Sequence, residues 1–312
     1  MKAAVLPNYG STELFVIKET KSPALKDGQI LVKNRASSVN PIDEIMRSGK
    51  TKLMTGMFGD QIVGADFSGT VVYSRSELFK AGDEVFGFMG ALTGGAYADE
   101  VVVNADNACL KPAVLSFTEA AALGLAGTTA WQGLIKEGSL RSRKDILING
   151  CTGGVGCIAV QIAKSLGIHI TGRCNPRNFE FAKQLGCDQV VSYEEQLSPV
   201  VKYDLIFDAA GKLTLTDISE NLTETGVFVA TKGNLDSVTG VFNTAKDLLF
   251  KNNMKLVKVS PDEVALNGLK ELVEAGQLKS YLAATFPLEQ AGEAHRMLEK
   301  GGFVGKIAIS ID

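Results

Sequence analysis

The sequence predicts a two-domain α/β protein, a small barrel or sandwich followed by a doubly wound parallel sheet. Three observations predict it. The first hundred residues are short β-prone runs punctuated by glycine. From Lys144 onward, strand-like and helix-like segments alternate. At the first such junction lies a glycine-rich turn, Cys151-Thr-Gly-Gly-Val-Gly156, between an apolar run and an amphipathic one. Repeated strand–helix units imply parallel strands with right-handed crossovers, whereas clustered short strands with turn residues imply a sandwich or barrel. The domains are placed at 1–118 and 119–259, with a C-terminal segment, 260–312, returning to the first.

The elements follow in order. Lys2-Ala-Ala-Val-Leu6, Gln29-Ile-Leu-Val-Lys33, Asp66-Phe-Ser-Gly-Thr-Val-Val72, Asp83-Glu-Val-Phe-Gly-Phe88 and Tyr97-Ala-Asp-Glu-Val-Val-Val103 are rich in the β-branched and aromatic residues that suit a pleated surface. Ser116-Phe-Thr-Glu119 has the spacing of a capping box and starts an alanine-rich helix. Strands are predicted over 145–149, 168–172, 189–193, 203–208, 226–231 and 254–259. Val155, Ile158, Ala159, Ile162, Ala163 and Leu166 recur at helical spacing, so the helix after the glycine turn has one apolar face. Helices over 266–275 and 288–299 precede a last strand over 306–311.

Composition narrows the function classes. In 312 residues, 45% hydrophobic and 21% charged, there is ample material for ordinary cores. A net charge of -3 lacks the basic face that nucleic acid requires. No apolar run reaches the roughly 20 residues that span a bilayer. The five cysteines form no CxxC pair, and the first residues are not an apolar leader. A cytoplasmic setting is therefore expected.

The glycine turn carries chemistry. Cys151 stands in the first slot of a dinucleotide fingerprint, followed by Gly153 and Gly156. Gly153 and Gly154 would let backbone approach a pyrophosphate, and the helix N-terminus offers it unpaired N–H groups. The other reading is a tight turn with no ligand. About 20 residues on, the ribose-reading position falls in Thr171-Gly-Arg-Cys-Asn-Pro-Arg-Asn178, which lacks an acidic residue. Arg173, Asn175 and Arg177 offer donors that match a 2′-phosphate, so NADPH is expected over NADH. As a plain loop, the same residues would simply be solvated.

Other chemistries are excluded by residues that are missing. His169 and His295 have no Cys or carboxylate at metal-ligand spacing, and a catalytic zinc wants three ligands. No tyrosine has a lysine four residues later, and Gly-x-Ser-x-Gly is absent.

Several phrases together carry a family resemblance. Val39-Asn-Pro-Ile-Asp43, Gly64-Ala-Asp-Phe-Ser-Gly69, Gly82-Asp-Glu-Val-Phe86, Gly95-Ala-Tyr-Ala98 and Ala120-Ala-Ala-Leu-Gly-Leu-Ala-Gly-Thr-Thr-Ala-Trp-Gln132 precede the Gly153-Gly-Val-Gly156 turn. Phe286-Pro-Leu-Glu-Gln-Ala-Gly-Glu-Ala-His295 and Gly305-Lys-Ile307 follow it. This ordered set resembles the zinc-independent quinone oxidoreductase branch of the medium-chain dehydrogenase/reductase superfamily. Cys174-Asn-Pro-Arg-Asn178 is similar to its NADPH-dependent alkenal (enone) reductase subgroup. The resemblance implies a GroES-like β-barrel domain, a Rossmann domain and a homodimer. Zinc-bearing relatives carry a cysteine before the Asn40 position and His-Glu after the Gly64 position; here those stretches read Ser37-Ser-Val-Asn40 and Gly64-Ala-Asp66.

Carried over by position, Asn40 and Thr129 would lie near the nicotinamide end. Gly153, Gly154 and Val155 would hold the pyrophosphate, and Asn175 and Arg177 the 2′-phosphate. Tyr193 would flank the adenosine, Gly211, Thr231 and Gly233 would follow the cofactor along the sheet edge, and Lys306 would also reach it. Met54, Met57 and Phe58 are candidate substrate contacts, with ordinary loop burial as their other reading. Ile45 departs from the Lys or Tyr common in relatives, which bears on substrate class.

The implied activity is hydride transfer to a quinone or to the C=C bond of an α,β-unsaturated carbonyl. The alternatives are an NADPH-binding redox-sensing or scaffold protein with little turnover, and a zinc alcohol dehydrogenase. Because a charge-assisted phosphate contact is worth about 1.5–3 kcal/mol, Arg177→Glu should lower the NADPH/NADH preference in kcat/KM by at least about tenfold. Steady-state kinetics with both cofactors checks this, and an unchanged ratio removes Arg177 from the site.

Overall fold

The computed structural model describes residues 1–50, 52, 60–232 and 251–312. The chain divides into two compact units. One comprises Met1–Thr128, Ser260–Glu274 and Ser280–Asp312; the other comprises Thr129–Val259 and Ala275–Lys279.

The first unit is built on seven strands. They are β3 (Gln29–Val39), β4 (Asp66–Ser74), β5 (Glu84–Phe88), β6 (Glu100–Asn104), β7 (Ala108–Leu110), β14 (Leu282–Pro287) and β15 (Lys306–Ser310). Their order is β14-β15-β3-β4-β5-β7, with β6 also on β3. Only the β14–β15 pair is parallel; the others are antiparallel. A separate hairpin joins β1 (Lys2–Val5) to β2 (Val16–Glu19). The return of the C-terminal strand is a specific ladder, with Ile307 opposite Val39 and Ser310 opposite Ala36.

Strand β3 runs six residues beyond the stretch ending at Lys33 that its β-prone pattern predicts. The extension, Asn34-Arg-Ala-Ser-Ser-Val39, is polar, yet most of it is buried. Burial is tolerated because the polar groups find partners inside. Asn34 Nδ2 donates to the carbonyls of Ala96 (2.9 Å) and Ala98 (3.1 Å), and Ser37 Oγ donates to that of Asp66 at 2.6 Å. Around this sheet, Ile30, Val32, Phe67, Val71, Val85 and Val101 form one apolar cluster. Leu6, Val39, Met46, Tyr97, Leu288 and Ile307 belong to another.

The second unit contains six parallel strands ordered β10-β9-β8-β11-β12-β13. These are β8 (Asp145–Asn149), β9 (His169–Cys174), β10 (Gln189–Ser192), β11 (Tyr203–Asp208), β12 (Leu222–Ala230) and β13 (Met254–Leu256). The sequence pattern locates all six, with ends that shift by up to four residues. Strands β2, β7 and β14 were not predicted; β2 and β7 are only four and three residues long, too short for a period-two pattern.

Among the described residues the α-helices, in chain order, are α1 (Pro41–Arg47), α2 (Phe117–Ala121), α3 (Gly124–Trp131), α4 (Gly154–Ser165), α5 (Phe179–Leu185), α6 (Leu215–Ile218), α7 (Glu263–Glu274) and α8 (Ala291–Lys300). The capping box at Ser116 forms as its spacing predicts, with Glu119 N–H donating to Ser116 Oγ and Ser116 N–H to the Glu119 carboxylate. Helix α4 buries Ile158, Ala159, Ile162 and Ala163. No described helix is long and apolar enough to cross a membrane.

One glycine decides how closely α4 approaches β8. A Cβ on Gly156 would stand 2.0 Å from the Gly150 carbonyl oxygen. A Cβ on Gly153 would meet nothing closer than that same oxygen at 3.5 Å. Gly156→Ala should therefore destabilise the unit by about 1–3 kcal/mol through overpacking. Gly153→Ala, which only alters a helix cap, should cost under about 1 kcal/mol. Urea denaturation of both variants checks the order, and equal losses would mean the turn relaxes freely.

Candidate functional site

In the second unit the site begins at the β8–α4 turn. Gly150 adopts φ +81°, a conformation that L side chains rarely adopt, and Gly153 is the N-cap of α4. No side chain caps this helix, so its first N–H groups point out of the turn without a side-chain partner at the cap. Gly153 needs no close packing with the protein, unlike Gly156. A backbone surface of this kind, at the positive end of a helix dipole, suits a pyrophosphate. Gly154 and Val155 open the helix directly after it.

The tip of β9 leads into Asn175-Pro-Arg177. Asn175 Oδ1 accepts from the Arg177 N–H at 3.1 Å, which folds the loop into a short 3-10 turn. Both side chains are exposed. Asn178 Nδ2 donates to Thr152 Oγ1 at 3.3 Å, tying this loop to the glycine turn. Arg173 does otherwise than its place in the sequence suggests. Its guanidinium donates to the carbonyls of Ser192, Tyr193 and Glu195, so it braces the loop after β10 and is not a free phosphate donor. Tyr193 follows β10 and is 43% exposed.

Asp208, at the end of β11, is the residue that sequence reading missed here. Its carboxylate is fully buried and accepts from Asn149 Nδ2 (2.7 Å), Gly211 N–H (2.9 Å) and Leu213 N–H (2.7 Å). Thr231 Oγ1 donates to the Asp208 carbonyl at 3.1 Å. Gly211 takes φ +63° and Thr231 lies just past β12, so both predicted contacts are held by Asp208, Gly211 by its carboxylate and Thr231 by its backbone carbonyl. Thr129 is buried on α3. Gly233, Met54, Met57 and Phe58 lie outside the described residues.

In the first unit, Asn40 and Lys306 come together in a buried polar cluster. Asn40 is the N-cap of α1, and its Nδ2 donates to Asp66 Oδ2 (2.8 Å) and Asp43 Oδ2 (3.3 Å). The Asn40 backbone N–H also donates to Asp43 Oδ2, at 2.8 Å. Lys306 Nζ donates to Asn40 Oδ1 and to the Val39 carbonyl, 3.8 Å from Asp66 Oδ2. Asp66 further accepts from Ser38 Oγ and from the Leu125 N–H (2.6 Å), in the first turn of α3. Ile45, the departure noted in sequence, lies half-buried on α1. Among the described residues there is no group of three or more His, Cys, Asp or Glu able to hold a metal ion.

Comparison with known proteins now bears on this arrangement. Residues 26–113 match the family model described as "Alcohol dehydrogenase GroES-like domain", and residues 185–309 match "Zinc-binding dehydrogenase". The chain is 30% identical to the NAD(P)H oxidoreductase RTN4IP1, mitochondrial, of Danio rerio, covering 100% of this chain and 91% of the relative. It is 31% identical to the 2-methylene-furan-3-one reductase of Solanum lycopersicum, covering 99% of this chain and 79% of that protein. The chain belongs to the quinone oxidoreductase branch of the medium-chain dehydrogenase/reductase superfamily.

Solved structures agree. The quinone oxidoreductase from Coxiella burnetii superposes with a TM-score of 0.88 at 30% identity, covering 100% of this chain and 99% of that one. The Escherichia coli quinone oxidoreductase complexed with NADPH superposes with a TM-score of 0.83 at 27% identity, covering 99% and 100% respectively. The α/β architecture, a GroES-like domain with a Rossmann domain, is that of the superfamily.

The buried groups of this superfamily member titrate unusually. The Asp43 carboxyl is pushed up to about 7, first by burial and then by the negative charge of Asp66; Asn40 and Lys306 pull the other way. Burial pushes Lys306 down, against Asp66 and Asp43. Nearby, Tyr97 Oη and His295 Nε2 are 3.1 Å apart. Burial, with some help from Arg47, pushes His295 down to about 3.

The two shifts have opposite effects on stability. Native Asp43 keeps its proton between pH 3.8 and about 7, where unfolded Asp43 has lost it, so its contribution is lost as pH rises. Native His295 stays neutral between about 3 and 6.5, where the unfolded histidine is charged, so its contribution is lost as pH falls. Asp43→Asn should therefore make stability climb more steeply from pH 4 to 6.5, and His295→Gln should make it decline. Urea midpoints across that range check both slopes, and parallel profiles would refute the assignment.

Proposed function

We propose that this chain is an NADPH-dependent, zinc-independent oxidoreductase acting on a quinone or on the C=C bond of an α,β-unsaturated carbonyl. The observation that carries the reading is the β8–α4 turn. Its Gly153 position is open where a packing glycine would be crowded, and it precedes an uncapped helix N-terminus. NADPH is favoured because the loop after β9 presents Asn175 and Arg177 and no acidic side chain to receive a 2′-hydroxyl. The E. coli relative's complex with NADPH supports the same cofactor. Zinc independence is supported by the serines and Asp66 standing where zinc-bearing relatives have ligands.

When bound, the reduced nicotinamide supplies a hydride. The chain's own residues bind and orient. Backbone N–H groups of Gly154 and Val155 would hold the pyrophosphate, and Arg177 would pair with the 2′-phosphate. Thr231 and Gly211 would line the path held by Asp208, with Tyr193 at the adenosine end. Thr129, Asn40 and Lys306 would serve the nicotinamide end. Both Nδ2 hydrogens of Asn40 are donated to the carboxyl oxygens of Asp43 and Asp66, and its Oδ1 accepts from Lys306 Nζ. Asn40 therefore acts as a fixed element that orients; a substrate oxygen gaining negative charge must find backbone N–H donors elsewhere. Water can protonate the α-carbon, so no protein acid is required. A homodimer is part of the proposal, since β13 pairs only with β12 among the described residues and leaves a strand edge for a second copy.

An NADPH-versus-NADH consumption screen against quinones, short alkenals and cyclic enones tests the reading. NADPH oxidation with at least one class, faster than with NADH, is the expected outcome. Tight NADPH binding without turnover on any of them would leave a binding protein instead.

A further inference from the structure

Four of the five cysteines lie in the second unit, and three of them gather directly beneath the glycine turn. Cys151, Cys174 and Cys187 are all buried and all carry free thiols. Gly172 on β9 reveals how close two of them are. A Cβ placed there would lie 2.5 Å from Cys187 Sγ, 2.8 Å from Cys151 Sγ and 3.3 Å from Cys151 Cβ. Residues 172 and 174 of a strand face the same side, so Cys174 projects on the face where those two sulfurs lie. The backbones of Cys151 and Cys174 are also neighbours, because the N–H groups of Gly150 and Cys151 both donate to the Arg173 carbonyl, at 2.9 and 3.3 Å. The small residue at 172 makes room for these thiols, which the proposed reaction does not use.

We propose that Cys151 and Cys174 form an oxidant-sensitive pair whose disulfide weakens dinucleotide binding at the turn above it. The effect on binding rests on the reading of that turn as an NADPH cradle; formation of the bond does not. A hydroperoxide is the oxidant class. The Cys174 sulfur attacks the peroxide oxygen, giving a sulfenic acid. The Cys151 sulfur then attacks Cys174 and expels the hydroxyl oxygen as water. Two thiols and one hydrogen peroxide give one disulfide and two waters. Cys174 is the better first nucleophile, since the neighbouring Cys151 thiol holds its pKa below the usual thiol value, while that of Cys151 is pushed up.

A disulfide demands an S–S distance near ~2.05 Å with a fixed dihedral. It would lock residue 151, inside the turn, to residue 174, next to Asn175. Both ends of the dinucleotide site would then move together. By reciprocity, a ligand that loses affinity in the oxidised form must disfavour oxidation by the same factor.

The test uses the full chain and hydrogen peroxide, with NADP⁺ as the ligand so that no reductant is present. The expected product is lighter by about 2 Da per chain, with a peptide map joining residues 151 and 174. Its Kd for NADP⁺, measured by calorimetry, should rise about tenfold and return after dithiothreitol. Saturating NADP⁺ should suppress the bond. Cys187→Ala should leave the response in place, and Cys174→Ser should abolish it. The mapping is done on the unmodified chain, so a misfolded variant does not blunt it. A map lacking the 151–174 link, or one joining 151 to 187, overturns the proposal, as does a linked form with unchanged affinity. If the bond forms but the reduced chain does not bind NADP⁺, the dinucleotide reading fails and the claimed effect on binding falls with it, while the thiol pair itself stands.

Discussion

The first unit depends on one buried carboxylate. Asp66 has no exposure, and it accepts hydrogen bonds from Ser38 on β3, from Asn40 at the start of α1 and from the first turn of α3, with the Lys306 ammonium of β15 close by. Three segments distant in sequence, around Ser38–Asn40, Leu125 and Lys306, therefore converge on two oxygen atoms. A lone buried carboxylate would cost several kcal/mol, and removing one partner of a buried pair costs about 3–5 kcal/mol. The donors make that burial tolerable, and they also fix where each donor must be. This is how Asn40 acquires a single amide orientation, and how the C-terminal strand is keyed to β3 by an ion as well as by its ladder.

The second unit uses the same device at the ends of its strands. Asp208 gathers the β11–α6 loop by its backbone N–H groups and holds Asn149 at the end of β8. Loops at the carboxyl ends of parallel strands are where ligands of such sheets bind. A carboxylate that spends its charge on backbone donors pre-shapes them without offering that charge to an anionic cofactor. Arg173 plays the complementary part, bracing the loop after β10 with three carbonyl contacts. Arg177, in the loop after β9, is exposed.

Much of this was legible in sequence. Apolar runs located the parallel strands, the central ones buried on both faces, and helical periodicity located α4, which buries one face. The glycine turn was legible because Gly156 answers a local steric demand, a helix lying against a carbonyl oxygen. The polar half of β3 was not, since Asn34 and Ser37 look like loop residues until their partners, Ala96, Ala98 and Asp66, are in place. Arg173 and Arg177 are also alike in sequence. Only the position of the β10 loop shows that Arg173 braces backbone carbonyls, while Arg177 sits in the exposed 3-10 turn after β9.

The sequence by itself determined the fold class, the place of the glycine turn and the family. All three rest on short-range chemistry: glycines where backbone must turn or approach, apolar residues at strand or helix period, and short motifs in fixed order. Tertiary structure decided which polar residues share a charge. Asp43, Asp66, Asn40 and Lys306 are separated by as many as 266 residues, yet the protonation of Asp43 and Lys306 and the orientation of Asn40 exist only within the set. Cys151, Cys174 and Cys187 were likewise scattered in sequence, and the fold brings the sulfurs of Cys151 and Cys187 to the same side of Gly172. Burial makes such groups depend on one another, and burial is a property of the folded chain.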